Sequence, residues 1–206
     1  PGTDAAIAQA MTHVILQEYY ENHPNDMFIN YAKQYSDMPF VIMLDEDENG
    51  YKAGRFLRAS DLGMSGENNE WKPVIQDKLS QQLLVPNGTM GQRWEEGKKW
   101  NLKLETEDGT PIDPMLSMVE SDYHVETIQF PYFDSSGDGI FERPIATRTI
   151  QLANGEKVKI ATVYDLMTSQ YGVQRFEHEL EATSYDDASS KYTPAWQEQI
   201  TGIKKE

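Results

Sequence analysis

Two Asn-Gly pairs constrain the fold of this chain more than any other feature. Asn49-Gly50 separates the apolar run of residues 40–44 from a second extended stretch, and Asn154-Gly155 divides the stretch ATRTIQLANGEKVKIATV. Asn and Gly both tolerate positive φ angles, which the two-residue turns of β-hairpins require. The sequence therefore predicts two β-hairpins in the middle of the chain, with an Asn-Gly turn in each.

Both ends of the chain have the spacing of amphipathic helices. Thr3 is placed as an N-cap before apolar residues that recur at helical spacing, which predicts a helix that ends near Tyr20. Further helices are predicted over residues 25–34, over residues 162–172 and from the Thr-Pro pair at 193–194. The predicted apolar sides are Met27, Phe28, Tyr31 and Tyr35 on the second helix, and Val163, Leu166, Met167 and Tyr171 on the third.

The part between the helical ends is rich in turns. KKWNLKLE, which ends at Glu105, and YHVETIQF, which ends at Phe130, are predicted to be extended. The expected fold class is α/β, mixed α+β for the chain taken alone, with helical ends flanking a β-rich, hairpin-containing middle. We expect a helical segment over residues 1–36, a β-rich insertion over residues 37–160 and a helical return segment over residues 161–206.

The balance of charges and the lack of cysteine exclude several classes of function. The chain has 34 acidic and 18 basic residues, for a net charge of -16, so its surface repels nucleic-acid backbones and anionic membranes. It contains no cysteine, which excludes disulfides, thiolate metal sites and cysteine nucleophiles within these residues. No apolar run is long enough for a transmembrane helix.

The first predicted helix begins with GTDAA, which is a candidate nucleotide site. A helix N-terminus offers free backbone N–H groups, and the carboxylate of Asp4 can accept two parallel hydrogen bonds from guanine. Gly2, Thr3 and Asp4 together could therefore hold a guanine nucleotide. An ordinary capped helix explains the same residues, and from the motif alone it is the better interpretation.

Two acidic stretches resemble the start of a calcium-binding loop. DEDENG at residues 45–50 and DSSGDG at residues 134–139 match its first six positions. The glutamate expected at the twelfth position is replaced by Phe56 in one stretch and by Ile145 in the other. Acidic turns are the better interpretation, but a self-standing acidic module that binds calcium or a protein partner stays open as an alternative function.

No local pattern names a reaction. The chain lacks the sequence patterns of nucleotide-binding loops, serine hydrolases and zinc hydrolases. None of its four histidines has the spacing of a metal site. The histidines are His13, His23, His124 and His178. We therefore assign no catalytic residue and no metal ligand within the chain.

Several stretches in sequence order resemble one enzyme family. PGTDAAIAQAMTHVI is similar to the Gly-Thr-Asp segment of the molybdopterin oxidoreductases related to dimethyl sulfoxide reductase. The stretches that narrow this to the α chains of membrane-bound respiratory nitrate reductases are YAKQYSDMPFVIML, AGRFLRASDL, VPNGTMGQRW, QFPYF, TVYDLMTSQYG and ATSYDDASSKYTPAWQEQITG. The resemblance covers nearly the whole chain and is weakest over residues 66–84 and 105–124.

The resemblance implies that the chain is an internal piece of a longer catalytic α chain. Members of the family reduce nitrate to nitrite at a molybdenum ion held by two molybdopterin guanine dinucleotides. A [4Fe-4S] cluster and the aspartate that binds molybdenum lie outside the residues of this chain. Gly2, Thr3 and Asp4 match the segment that contacts the guanosine end of one dinucleotide, so residues 1–36 are expected to belong to the cofactor-binding domain.

The same resemblance implies partners and a location. Electrons are expected to come from quinol through a membrane subunit and an iron–sulfur β chain. The α chain is expected to associate with the cell membrane through these subunits, on the cytoplasmic face, without a transmembrane segment in this stretch. The piece alone is expected to be inactive.

Overall fold

The computed structural model describes residues 2–134 and 137–205. The helices are α1 (Asp4–Ile15), α2 (Asp26–Tyr35), α3 (Val163–Gln170) and α4 (Pro194–Thr201). The strands are β1 (Val41–Asp47), β2 (Gly50–Phe56), β3 (Ile75–Gln76), β4 (Leu83–Leu84), β5 (His124–Asp134), β6 (Gly137–Gln151) and β7 (Lys157–Thr162). The predicted fold class is confirmed: helices at the two ends flank a β-rich middle.

Local capping by side chains explains why α2, α3 and α4 begin where the sequence predicts. The side chain of Asn25 accepts a hydrogen bond from the backbone of Met27 at the start of α2. Thr162 and Thr193 cap α3 and α4 in the same manner. Helix α1 continues into a π-helical turn over Leu16–Asn22, so the helical segment extends two residues beyond its predicted end near Tyr20.

The predicted apolar side of α2 is not buried. Met27, Tyr31 and Tyr35 are 69%, 63% and 65% exposed, whereas the buried positions of the helix are Ala32 and Lys33. Ala32 is small enough to bring the helix close to its neighbours, and Lys33 Nζ pairs with Asp113 at 2.5 Å. The helix therefore turns its large aromatic side chains away from the rest of the described chain.

Helix α3 buries a polar side as well as an apolar one. Its most buried residues are Tyr164, Asp165, Thr168 and Ser169, while the predicted apolar side is only partly buried. The helix is covered on more than one side, which makes its apolar spacing a poor guide to its orientation. The polar side chains satisfy each other, as described below.

Five of the strands close into a small barrel in the order β1-β2-β5-β6-β7. All neighbours are antiparallel except β2 and β5, which are parallel and meet through Tyr51 and Ile128. Residues 41–44 of β1 are apolar without alternation because both faces of the strand are buried there. Ile42 and Leu44 pack in one core cluster with Ile128, whereas Val41 lies in a second cluster on the other face.

Both hairpins form, and Asn154-Gly155 lies at the turn of the second as predicted, but the first lacks the predicted two-residue Asn49-Gly50 turn. Asp47 pairs with Gly50, so the first loop consists of Glu48 and Asn49. A Cβ on Gly50 would lie 2.5 Å from the carbonyl oxygen of Thr127, so this glycine permits a close approach of β5. The second loop has three residues and ends with Gly155 at φ +87°. That arrangement is the next most common hairpin loop.

The extended stretch over residues 98–105 does not form the predicted strand. It pairs with residues 87–88 through backbone hydrogen bonds such as Asn101 N–H to the carbonyl of Gly88, at 3.0 Å. The pairing cannot spread because Pro86 has no N–H to donate and Gly88 leaves the extended region at φ +81°. The stretch that ends at Phe130 is confirmed as part of β5.

The N-terminal helices pack against α3 through a third core cluster. Leu16 and Ala32, from the N-terminal helical segment, pack there against Tyr164 of α3 and Val173. Within residues 2–134 and 137–205, none of the helices has the length and apolar content needed to cross a membrane.

Candidate functional site

Gly2, Thr3 and Asp4 lie together where α1 begins. Gly2 has φ +86°, a conformation that favours glycine, and it turns the chain into the helix. Thr3 occupies the N-cap position, but its side chain makes no capping hydrogen bond, and its carbonyl instead accepts from the N–H of Ala6 at 3.0 Å. The threonine hydroxyl is therefore not engaged in capping this helix.

The end of α1 has free hydrogen-bonding capacity. Asp4 is exposed, and its carboxylate has no hydrogen bond or ion pair with any residue that the structure describes. Helix geometry leaves the first N–H groups without acceptors inside the helix. A carboxylate with both oxygens free, beside free N–H groups, fits a planar group with two parallel donors, and guanine has such an edge. The residues present thus fit a guanine nucleotide.

A buried histidine anchors the middle of α1. His13 is 2% exposed, and its Nδ1–H donates to the carbonyl of Tyr171 at 2.6 Å. Its ring also meets the ring of Tyr185 edge-on, with 5.7 Å between the centroids. Burial lowers the pKa of His13, although the hydrogen bond to Tyr171 acts in the opposite direction. The imidazole is therefore neutral near pH 7, and its tautomer is set by the carbonyl.

Two tyrosine–carboxylate contacts fix the π-helical turn after α1. The hydroxyl of Tyr164 donates to Glu21 at 2.6 Å, and the hydroxyl of Tyr185 donates to Glu18. The bond from Tyr185 lowers the pKa of Glu18. These contacts tie the helical segment to α3 and to the loop before α4, so the N-terminus of α1 extends from a well-anchored base.

Behind this base lies a buried network of charges that the sequence did not reveal. Arg175 Nη1 donates to Asp165 at 2.9 Å, Nη2 donates to Ser117 at 2.6 Å, and Nε lies 3.0 Å from Glu21. Asp165 is fully buried and also accepts from Thr162. Burial lowers the pKa of Arg175, but the charges of Asp165 and Glu21 outweigh burial and raise it.

One signal for this network was present in the sequence. Thr162 and Asp165 have the spacing of a capping box, and the structure shows both of its hydrogen bonds. A capping aspartate that is also fully buried needs a further partner. Arg175, ten residues later, supplies it, but no spacing rule connects a helix cap to an arginine in a following loop.

An apolar groove of about 340 Å³ runs between α1 and α4. Met11 and Ile15 of α1 line it and are 58% and 44% exposed. Pro194 and Ile203 line its other side. The side of α1 next to the Gly-Thr-Asp segment therefore remains open within the described chain.

The acidic stretches are placed differently from a calcium loop. Asp45 and Asp47 belong to strand β1, and Asp47 pairs with Lys52 of the neighbouring strand. The stretch at 134–139 includes residues 135 and 136, which lie outside the described residues. Across the described parts of the chain, no group of three or more histidine or acidic side chains has an arrangement that could hold a metal ion.

Relatives match the chain over nearly all of its residues, although no protein-family model matches it. The nitrate reductase alpha chain of Bacillus subtilis (strain 168) is 47% identical over 206 residues, which are 100% of this chain and 17% of the relative. The respiratory nitrate reductase 1 alpha chain of Escherichia coli (strain K12) is 40% identical, with 99% of this chain and 17% of the relative covered.

A nitrate reductase alpha subunit of Mycobacterium tuberculosis (strain ATCC 25618 / H37Rv) is 39% identical, with 98% of this chain and 16% of the relative covered. These matches confirm the resemblance to respiratory nitrate reductase α chains that the residues indicate. The chain spans 16–17% of the length of these relatives.

Proposed function

We propose that this chain, which is similar over its whole length to nitrate reductase alpha chains, is an internal part of the catalytic α chain of a respiratory nitrate reductase. The parent enzyme is an oxidoreductase that reduces nitrate to nitrite with electrons from quinol. The observation that carries the proposal is identity of 39–47% across 98–100% of the chain to α chains from three distant bacteria.

Gly2, Thr3 and Asp4 would contact the guanosine end of one molybdopterin guanine dinucleotide. When bound, the molybdenum centre supplies the two-electron reduction of nitrate, and the protein binds and orients the cofactor. The carboxylate of Asp4 would accept from the guanine N1 and N2 donors, and Gly2 and Thr3 would shape the approach of the backbone to the nucleotide. The free carboxylate and the anchored helix support this assignment.

The remaining segments would form the wall and the outer surface around this contact. Residues 1–36 belong to the cofactor-binding domain, residues 37–160 are a β-rich insertion and residues 161–206 return to the helical framework. The [4Fe-4S] cluster of the parent lies outside this chain. An iron–sulfur β chain and a quinol-oxidising membrane subunit are the partners, and they hold the α chain at the membrane, on its cytoplasmic face. The isolated piece is inactive because it lacks most of the cofactor site.

Replacing Asp4 by alanine in the full α chain tests the cofactor contact. We expect the Asp4→Ala enzyme to retain less molybdenum and less pterin than the parent, because a carboxylate bound to two donors is worth about 2–3 kcal/mol. Bound molybdenum is measured by elemental analysis, and pterin by the fluorescence of its oxidised form.

Asp26→Ala is the matched control. Asp26 is also exposed in the first turn of a helix, so its removal has the same effect on a helix N-terminus without touching the proposed site. Equal cofactor content in the Asp4→Ala enzyme, the Asp26→Ala enzyme and the parent would refute the role of Asp4.

A further inference from the structure

A groove of about 550 Å³, lined in part by four aromatic side chains, lies at the C-terminal end of α2. The residues that define this aromatic groove are Tyr35, Phe40, Phe56, Arg58, Thr89 and Trp100. Phe40 and Phe56 meet edge-on with 6.4 Å between their centroids. The two rings are partly buried and contact each other at the base of the groove.

The loop that carries Trp100 is held in place by a backbone contact. The N–H of Asn101 donates to the carbonyl of Gly88 at 3.0 Å. A Cβ at Gly88 would lie 1.9 Å from the carbonyl oxygen of Asn101, so only glycine permits this approach. Trp100 is nevertheless 63% exposed at the rim of the groove, and the contact keeps it beside Thr89.

A buried hydroxyl in the groove has no partner. Thr89 is 2% exposed, and its Oγ1 makes no hydrogen bond with any described part of the chain. The hydroxyl also does not cap the short helix that follows it. Burying a hydroxyl without a hydrogen bond is unfavourable, so such groups in native structures usually meet a partner from outside the chain or a water.

An unpaired cation lies in the same groove. The guanidinium of Arg58 stacks on the ring of Phe56 at 5.7 Å from the centroid and makes no hydrogen bond to a described residue. Neighbouring Arg55, in contrast, binds Asp61 through two hydrogen bonds of 2.7 Å each. Burial and the charge of Arg55 lower the pKa of Arg58, whereas the charge of Asp61 acts in the opposite direction. Asp37 also lines the groove, but it forms no ion pair with Arg58.

The groove continues into the exposed aromatic side of α2. Tyr35 lines the groove, and its ring lies 5.2 Å from that of Tyr31, one helical turn earlier. Met27 extends the same side by another turn. An exposed apolar side that continues from a groove over two helical turns is typical of an interface with a polypeptide.

We propose that the aromatic groove and the exposed side of α2 bind a polypeptide segment in which an Asp or Glu is flanked by apolar side chains. Its carboxylate pairs with Arg58, a polar group of the segment satisfies the hydroxyl of Thr89, and its apolar side chains pack between Tyr35 and Trp100. The segment belongs to the part of the parent α chain outside residues 1–206. The charge of Arg58 selects the carboxylate, and relatives about six times as long as this chain supply the source.

This inference rests on the proposed function, because it takes the segment from a longer α chain. The test places the photoreactive amino acid p-benzoylphenylalanine at Trp100 in the intact enzyme complex. Ile140, which is 64% exposed on β6, is the matched control position. We expect the probe at Trp100 to cross-link to an α-chain segment outside these 206 residues that has an acidic residue within a few positions of the cross-link. The probe at Ile140 should not reach that segment.

Two further variants test the chemistry of the contact. Arg58→Gln should lower the cross-link yield from Trp100 about tenfold, because it removes a charge-assisted hydrogen bond. Arg148→Gln, which removes the same charge from β6, should leave the yield unchanged. Thr89→Val keeps the shape of the side chain and should also lower the yield, so misfolding is not needed to explain the loss.

Several results would overturn the inference. They are cross-links from Trp100 to a second copy of the chain or to another subunit, the absence of any cross-link specific to Trp100, and a yield that Arg58→Gln does not change. These results differ from failure of the proposed function, which would appear as unaltered cofactor content in the Asp4→Ala enzyme. An enzyme that loses cofactor upon Asp4→Ala but gives no cross-link from Trp100 would retain the proposed function and refute only the docking segment.

Discussion

Replacing Asp165 by asparagine should destabilise the fold more than any change to a surface ion pair. Asp165 is 0% exposed and accepts hydrogen bonds from Arg175 at 2.9 Å, from Ser117 at 2.5 Å and from the backbone of Met118 at 2.9 Å. Asparagine has nearly the same shape but presents an NH₂ group to some of these donors. It also leaves the guanidinium of Arg175 buried, with only Glu21 as a charged partner.

The expected loss is about 3–5 kcal/mol, which is the usual cost of leaving one member of a buried ion pair without its partner. A typical domain has a total stability of about 5–15 kcal/mol, so this loss is large. Urea denaturation followed by the fluorescence of the four tryptophans measures it directly.

The surface pair of Arg55 and Asp61 provides the control. The Arg55 side chain is 59% exposed, so Arg55→Gln should cost less than about 1 kcal/mol although it breaks two hydrogen bonds of similar length. The comparison separates the effect of burial from the effect of the contact itself.

A double-mutant cycle tests the reason for the loss. Arg175→Met alone should also cost several kcal/mol, about as much as Asp165→Asn, while the double variant should cost clearly less than the sum, because neither charge then remains buried alone. A cost below about 1 kcal/mol for Asp165→Asn, or strict additivity in the cycle, would refute the buried-network account.

Two further predictions concern α1. Burial lowers the pKa of His13, so the unfolded chain binds its proton more readily, and stability should fall as the pH drops below about 6.5, the ordinary histidine value. His13→Gln should flatten this dependence between about pH 6.5 and 5, and a profile identical to that of the unsubstituted chain would contradict the assignment. Met11 is 58% exposed on an apolar stripe that also includes Ile7 and Val14, so the isolated chain should self-associate, and Met11→Glu should shift its sedimentation toward the monomer. An isolated chain without the substitution that is strictly monomeric at high concentration would contradict this expectation.

The structural features that the sequence predicted correctly are those that depend on residues close together in the chain. The capping residues Asn25, Thr162 and Thr193 act within three positions of themselves, so their patterns identify the helix starts. Both hairpins were also predicted, although the turn at Gly50 shifts by one residue because the backbone of Thr127 approaches this glycine. That approach depends on a strand more than seventy residues away.

The features that sequence did not predict depend on distant parts of the chain. Closure of the barrel requires Tyr51 to meet Ile128, and no local pattern encodes that pairing. The predicted orientation of α2 was wrong. Its largest apolar side chains, including Tyr31, are exposed, and only small or amphipathic side chains are buried. An apolar side indicates a contact, but it does not say whether the partner lies within the described chain.

The candidate site came from resemblance more than from local chemistry. GTDAA alone is compatible with an ordinary helix start, and the structure shows why the motif is ambiguous: Thr3 fills the N-cap position without using its hydroxyl. The side chains that hold the N-terminal helical segment in place, such as His13 and Glu21, bind partners that lie far away in the sequence. Only the folded structure identifies these partners.

The distance from the carboxylate of Asp4 to the guanine of the nearer pterin dinucleotide, measured in a structure of the intact enzyme with its cofactor, tests the central claim most directly. Hydrogen bonds of about 2.7–3.1 Å from the two carboxylate oxygens to guanine N1 and N2 are the predicted result. A first helix that lies beyond hydrogen-bonding reach of every dinucleotide, or an Asp4 side chain turned toward solvent in the loaded enzyme, would contradict it.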